Sequence, residues 1–265
     1  MKNLLFIALF IIPFTLFSQG RLEKAKEDLS KESSSSEKSS ERNRTVRSGR
    51  LSSGHNNFFV DVFAEVGFYA FYGTLLGSSD YRALTPYPYF YDSTGEYLKV
   101  DLDYSKNSQF KIGASQYFNK GVKGVELNAN YKVMPILGIE ASYLNFSEST
   151  LQGKDYLNIT SLLLKYYRVR EKNISIWWGL GVAHVGNEVN TWGFSYTIGA
   201  EIFPIKPISL YSSYKQSFIN STSIDEFKIH LKYHFKKTAI YSGYQNVELG
   251  GEKVDGIVYG LEYIF

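Results

Sequence analysis

The last nine residues, Ile257-Val258-Tyr259-Gly260-Leu261-Glu262-Tyr263-Ile264-Phe265, restrict the fold more than any other stretch of this chain. Side chains alternate across a strand with period two, so Ile257, Tyr259, Leu261, Tyr263 and Phe265 share one face. The other face, Val258, Gly260, Glu262 and Ile264, is mixed and small. A strand whose one face is wholly apolar and rich in aromatics must set that face against lipid or a second apolar layer. The abrupt aromatic end, with no polar tail, points to lipid, where a spanning strand must also close its edge on strand one.

This ending resembles the C-terminal strand of bacterial outer-membrane β-barrel proteins. The resemblance covers about residues 58–265 in pattern, with the specific signals at the two ends. It implies insertion by the barrel-assembly machinery, with Tyr259, Leu261, Tyr263 and Phe265 matching the assembly signal. The N-terminus agrees. Lys2 supplies a positive n-region, Leu4 to Phe17 is apolar apart from Pro13 and Thr15, and Ser18-Gln19-Gly20 suits cleavage. Such a run reads as a secretory signal peptide over 1–18, too short for a comfortable transmembrane helix. The chain contains no Cys, which excludes a lipid-anchored Cys, a disulfide framework and a thiolate metal site.

Composition separates the exported alternatives. Aromatics make up 17% of the residues while hydrophobics reach only 44%, and the mean hydropathy is -0.21. A helical membrane protein would be far more apolar. A barrel needs apolar residues only at alternate positions and collects Tyr, Phe and Trp in two interfacial girdles. A net charge of +3 is too small to argue for a nucleic-acid partner.

Residues 19–56 are mostly Ser, Lys, Arg and Glu with almost nothing to bury, and read as a disordered periplasmic arm, with a tether for a periplasmic partner as the functional alternative. From 57 to 265 period-two patterns recur between turn signals. Strands are expected near 97–104, 109–118, 122–133, 137–147, 155–169, 173–185, 191–203, 207–218, 226–236, 238–248 and 254–265. Segment 58–72 makes the number even, which a barrel with both termini on one side requires. The expected fold is therefore an all-β antiparallel transmembrane barrel of twelve strands in the bacterial outer membrane. Its periplasmic turns are short, and its outer loops, including 73–96, 147–154 and 219–225, are longer. The competing expectation makes 58–72 a helix at the barrel mouth, since Phe58, Phe59, Val62, Phe63, Val66 and Tyr69 also recur at helical spacing, and leaves ten strands.

The most distinctive polar feature is a basic ladder, Lys228, His230, Lys232, His234 and Lys236, on one face of a strand whose other face is Phe227 to Phe235. That face must be the lumen. There the cations either pair with lumenal acids such as Glu126, Glu140, Glu201 and Glu262 and plug the barrel, or line a narrow anion-preferring channel. The aromatic run with Tyr81, Tyr87, Tyr89, Phe90 and Tyr91 is expected in an external loop over the mouth. None of the four His shows the His-x-Ser spacing of outer-membrane phospholipases or deacylases, and no metal or cofactor motif stands out. The expected role is non-enzymatic: a structural or partner-binding barrel with a plugged lumen. A narrow anion channel and a lipid-modifying enzyme are the alternatives.

Overall fold

The computed structural model describes residues 20–31, 82–90, 95–99, 103, 105–119, 121–150 and 153–265. The expected signal peptide (1–18), segment 58–72, and Tyr81 and Tyr91 lie outside the described residues.

Ten strands close into one antiparallel barrel. They are β3 (Gln109–Phe118), β4 (Val122–Met134), β5 (Leu137–Thr150), β6 (Gly153–Arg170), β7 (Ile174–Val185), β8 (Thr191–Ile205), β9 (Ile208–Ile219), β10 (Thr222–Phe235), β11 (Thr238–Leu249) and β12 (Glu252–Ile264). Each pairs with its sequence neighbours, and β12 closes on β3 through Ile257↔Phe118 to Ile264↔Lys111. Following paired residues once around the sheet from Ile264 returns to β12 at Glu252, a stagger of 12 residues. For ten strands that stagger implies a tilt of about 40° and a radius of about 10 Å, so each residue climbs roughly 2.5 Å of barrel height.

The twelve-strand expectation is corrected to ten. Of residues 97–104 the described ones do not join the barrel: Tyr97–Leu98 (β2) pairs with β1 (Ala83–Leu84) in a separate two-stranded sheet, and 100–102 and 104 lie outside the described residues. The expected long outer loops also shrink. Strands β5 and β6 meet across 151–152, β9 and β10 across Asn220-Ser221, and β11 and β12 across Gly250-Gly251.

The cause is an inversion along the strands. Over most of the barrel the outward residues are apolar, including Ile112, Leu127, Leu162, Leu164, Leu180, Leu231 and Leu261, all exposed. Aromatics flank this belt. Phe110, Tyr131, Tyr233, Tyr263 and Phe265 lie towards the C-terminal end, and Phe118, Trp192, Phe194, Phe218 and Phe227 towards the other. At roughly 2.5 Å per residue the belt is about 25 Å tall. Beyond it the outward positions turn polar (Lys123, Ser147, Asn158, Asp225, Glu248, Lys253), while the inward ones turn apolar (Leu144, Phe146, Leu157, Ile159, Ile224, Val247, Leu249, Val254). Those stretches have the polarity of an ordinary soluble barrel, so a reading keyed to apolar-outward residues takes them for loops.

The inverted collar is filled by helix α1 (Arg21–Ser30), a second correction, because residues 21–30 belong to the arm expected to be disordered. Leu22, Ala25 and Leu29 fall on one helical stripe and are fully buried in the collar's apolar cluster. The backbone N–H groups of Arg21 and Leu22 donate to the Glu148 carboxylate at 3.2 and 2.8 Å, which satisfies donors that a helix start leaves open. At the other end Asn220 Nδ2 donates to the Leu29 carbonyl at 2.7 Å, and Ser221 Oγ to that of Lys31 at 2.6 Å. Gly250, at φ 63, lies so close to the helix that a Cβ there would meet the Asp28 Cβ at 2.9 Å.

Candidate functional site: a charge-neutral barrel interior

Among the described residues, six lysines and six glutamates line the space between the two ends, around a residual cavity of about 90 Å³. They fall into three groups, each with as many cations as anions. The largest runs Lys132–Glu96–Lys111–Glu262–Lys232–Glu201, with Lys132 to Glu96 at 2.6 Å, Lys232 to Glu262 at 3.0 Å and Lys232 to Glu201 at 3.3 Å. The second is Lys215–Glu226–Lys228–Glu126, and the third is Lys165–Glu140. A charge withdrawn from water demands a partner, and here each of the twelve has one.

Rings bind this network laterally. Trp177, Tyr211, His230 and Tyr241 stack in sequence across β7, β9, β10 and β11, with centroids 5.5, 5.6 and 4.9 Å apart. Lys165 stands over Trp177 at 4.9 Å, Lys232 over Tyr211 at 4.7 Å, and Lys132 between Tyr97 and Tyr167.

The structure divides the basic ladder. Lys228, His230, Lys232 and His234 face inward, and the two lysines belong to the neutral groups just described. Lys236 sits in the exposed β10–β11 turn with φ 53, outside the interior, because the strand ends at Phe235. His230 is held between two rings. His234 Nε2 lies 2.7 Å from Ser209 Oγ, which in turn donates to Glu201 Oε1 at 2.7 Å. This cross-strand Ser–His contact could not be read from spacing along one strand. Its geometry is not that of an activated nucleophile. The serine proton goes to Glu201, so the imidazole donates to Ser209 instead of accepting from it, and Ser209 is fully buried. His184 bonds Asn190 and packs on Trp192.

Two acids of the network, Glu226 and Glu96, were not expected from the sequence, and Glu96 comes from outside the barrel strands. It belongs to the segment 82–99, whose described parts close the C-terminal end of the barrel. Leu84 exchanges backbone hydrogen bonds with Lys106 at 3.0 and 2.9 Å, and Gly95 N donates to the Lys172 carbonyl at 2.7 Å. Arg82 Nη2 reaches Glu171 at 2.6 Å, and its Nε donates to the Arg170 carbonyl. Burial opposes ionisation of Glu96, but Lys111 and Lys132 outweigh it and hold the carboxyl well below the usual range. Burial pushes the Tyr89 hydroxyl up to about 12.

The described residues of the aromatic run are therefore not at the end opposite the C-terminus, where a twelve-strand barrel would put them. Tyr89 lies inside the C-terminal end, its hydroxyl on the carbonyls of Ile205 and Ile208 and its ring 5.7 Å from His234. Tyr87 and Phe90 pack edge to face at 5.0 Å nearby. With ten strands instead of twelve, this segment precedes the barrel and folds back into the end where β3 begins. Tyr259, Leu261, Tyr263 and Phe265 all point outward, exposed.

Fold and interior together define the class: a closed ten-stranded antiparallel β-barrel with a charge-neutral core, filled at one end by a helix and at the other by its own pre-barrel segment. No family model and no curated protein matches the chain. Among solved structures it is similar to the Yersinia pestis outer membrane protein Ail, at 15% identity over 60% of this chain and 98% of that one, TM-score 0.34. The KdgM porin aligns at 13% identity over 59% and 99%, TM-score 0.37. The Pseudomonas aeruginosa outer membrane protein OprG aligns at 14% identity over 60% and 96%, TM-score 0.31.

Proposed function

We propose that this chain spans the bacterial outer membrane as a sealed, non-enzymatic barrel whose role is structural or partner-binding. The apolar belt flanked by two aromatic girdles supports the membrane reading. The observation that carries the sealed reading is the pairing of all twelve interior lysines and glutamates into groups of zero net charge. A channel selective for anions needs cations free to replace the hydration shell of a passing ion. Here Lys228 and Lys232 each contact two carboxylates. Segment 82–99 adds to the seal by supplying Glu96, without which the largest group would carry an excess positive charge.

The test is solute entry into proteoliposomes, with heat-modifiable gel mobility as the control for folding. A heat-modifiable protein that admits no small sugar, amino acid or anion supports the reading. Swelling in small anionic solutes would replace it with the narrow channel. Release of fatty acid from the vesicle lipid would replace it with the enzyme.

A further inference from the structure

The two rims of the barrel differ in charge. At the rim away from the C-terminus, Glu148, Asp155, Glu188, Glu248 and Glu252 mix with Lys24, Lys26 and Lys253 and largely pair with them. At the C-terminal rim, three successive hairpins present lysines. Lys172 lies between β6 and β7, Lys206 between β8 and β9, and Lys236 with Lys237 between β10 and β11, all four exposed. Arg168, on β6, faces the same side. Glu171, an acid on this arc, is engaged by Arg82.

The position of these cations matters more than their number. Lys206 follows Ile205, which is 65% exposed, and Lys236 follows Phe235, which is 53% exposed. Tyr233 lies two residues further up the same strand as Phe235, and Tyr166 and Trp178 lie four residues inside the ends of β6 and β7. Lys206 and Lys236 thus stand just below an apolar and aromatic border, where a flexible four-carbon stem lets the ammonium reach headgroup phosphates while its methylenes stay on apolar surface. The β9–β10 contact draws two of the turns together, with His234 N donating to the Pro207 carbonyl at 2.8 Å. The result is a continuous basic arc over about half the circumference, in the plane where a leaflet's phosphates would lie.

We propose that this arc, Lys172, Lys206, Lys236 and Lys237, is a docking surface for anionic phospholipid headgroups, which makes the barrel enrich phosphatidylglycerol-type lipid around one half of its C-terminal rim. The inference rests on the membrane-spanning reading. Charge complementarity selects the occupant: a phosphodiester lipid with net negative charge gains contacts that a zwitterionic one offsets with its own cation.

The tryptophans supply a reporter. Trp178 faces outward beside Tyr166, with rings 5.7 Å apart, Trp177 is buried inside, and Trp192 lies towards the opposite rim. Full-length Trp192→Phe protein in phosphatidylcholine vesicles is titrated with brominated phosphatidylglycerol or, at equal mole fraction, brominated phosphatidylcholine. Quenching by the anionic lipid is expected to exceed that by the zwitterionic one by about twofold, and a K172Q/K206Q/K236Q/K237Q variant to erase the difference. Equal quenching by the two lipids, or a preference that survives in the variant, overturns the proposal. So does stronger enrichment of lipid A than of phosphatidylglycerol. If the variant does not fold, native mass spectrometry of the unaltered chain from mixed nanodiscs decides, and absence of bound phosphatidylglycerol above its bulk share overturns the proposal. Failure of the protein to insert at all would instead remove the membrane reading beneath it.

Discussion

Glu96 shows what a single residue contributes. It neutralises Lys111 and Lys132 from a segment that is not part of the barrel sheet. Replacing it with Gln leaves two buried ammonium groups short of a partner, and breaking a buried pair in this way costs about 3–5 kcal/mol. The Glu96→Gln chain is expected to lose protection of residues 82–99 in hydrogen exchange while the barrel strands keep theirs. The pH dependence has a definite sign. The folded-state carboxyl is depressed, so its stabilisation is complete above the unfolded value of about 4.3 and is lost as pH falls through the lower folded value. Exchange protection of 82–99, corrected for intrinsic rates, should be flat from neutral pH to about pH 5 and decline only in stronger acid. Gly95 gives an independent check. A Cβ there would sit 2.4 Å from Phe203 Cδ2, so Gly95→Ala should loosen the segment by about 1–3 kcal/mol without touching a charge. The sequence disclosed the inward face of Lys228 to His234 because Phe227 to Phe235 fixes the strand's orientation. It did not disclose Glu96, Glu226 or the Ser209–His234 contact, because each depends on which strands and segments face one another across the interior.

Among the elements, the ten barrel strands were legible wherever the outward side was apolar, since alternation then has one interpretation. Legibility ended where polarity inverts. On β6, Leu162 and Leu164 point out with Lys165 in, but further along Leu157 and Ile159 point in with Asn158 and Thr160 out. Helix α1 escaped for another reason. Leu22, Ala25 and Leu29 do mark a helical stripe, but Lys and Glu dominate the average. Only the apolar collar, built from β-strand residues far along the chain, gives the stripe something to bury against. The prediction at this scale is a double substitution, Leu22→Asp with Leu29→Asp, removing two fully buried side chains worth about 2–3 kcal/mol each. Residues 21–30 should then exchange at the rate of an unstructured peptide. The strands below the collar should be unaffected. Loss of heat-modifiable folding would instead mean that α1 is required to form the barrel.

For the whole molecule, ten strands staggered by 12 residues set a radius of about 10 Å, and the interior contents follow from that size. A cylinder this narrow can be filled by side chains, and it is: an apolar plug at one end, neutral ion groups and stacked rings in the middle, and the pre-barrel segment at the other. Had twelve strands closed, the same lysines and glutamates would face one another across a wider gap with room for water and ions. Strand number, lumenal charge pairing and permeability are therefore one claim. Single-channel recording of the refolded full-length protein in planar bilayers tests it most directly, with heat-modifiable mobility confirming the fold. A sealed interior predicts a folded barrel that inserts and stays electrically silent at moderate salt. Discrete, anion-selective steps from the unaltered protein, abolished by changing Lys228 and Lys232 to Gln, would contradict it and show that the interior lysines serve passing ions rather than the glutamates beside them.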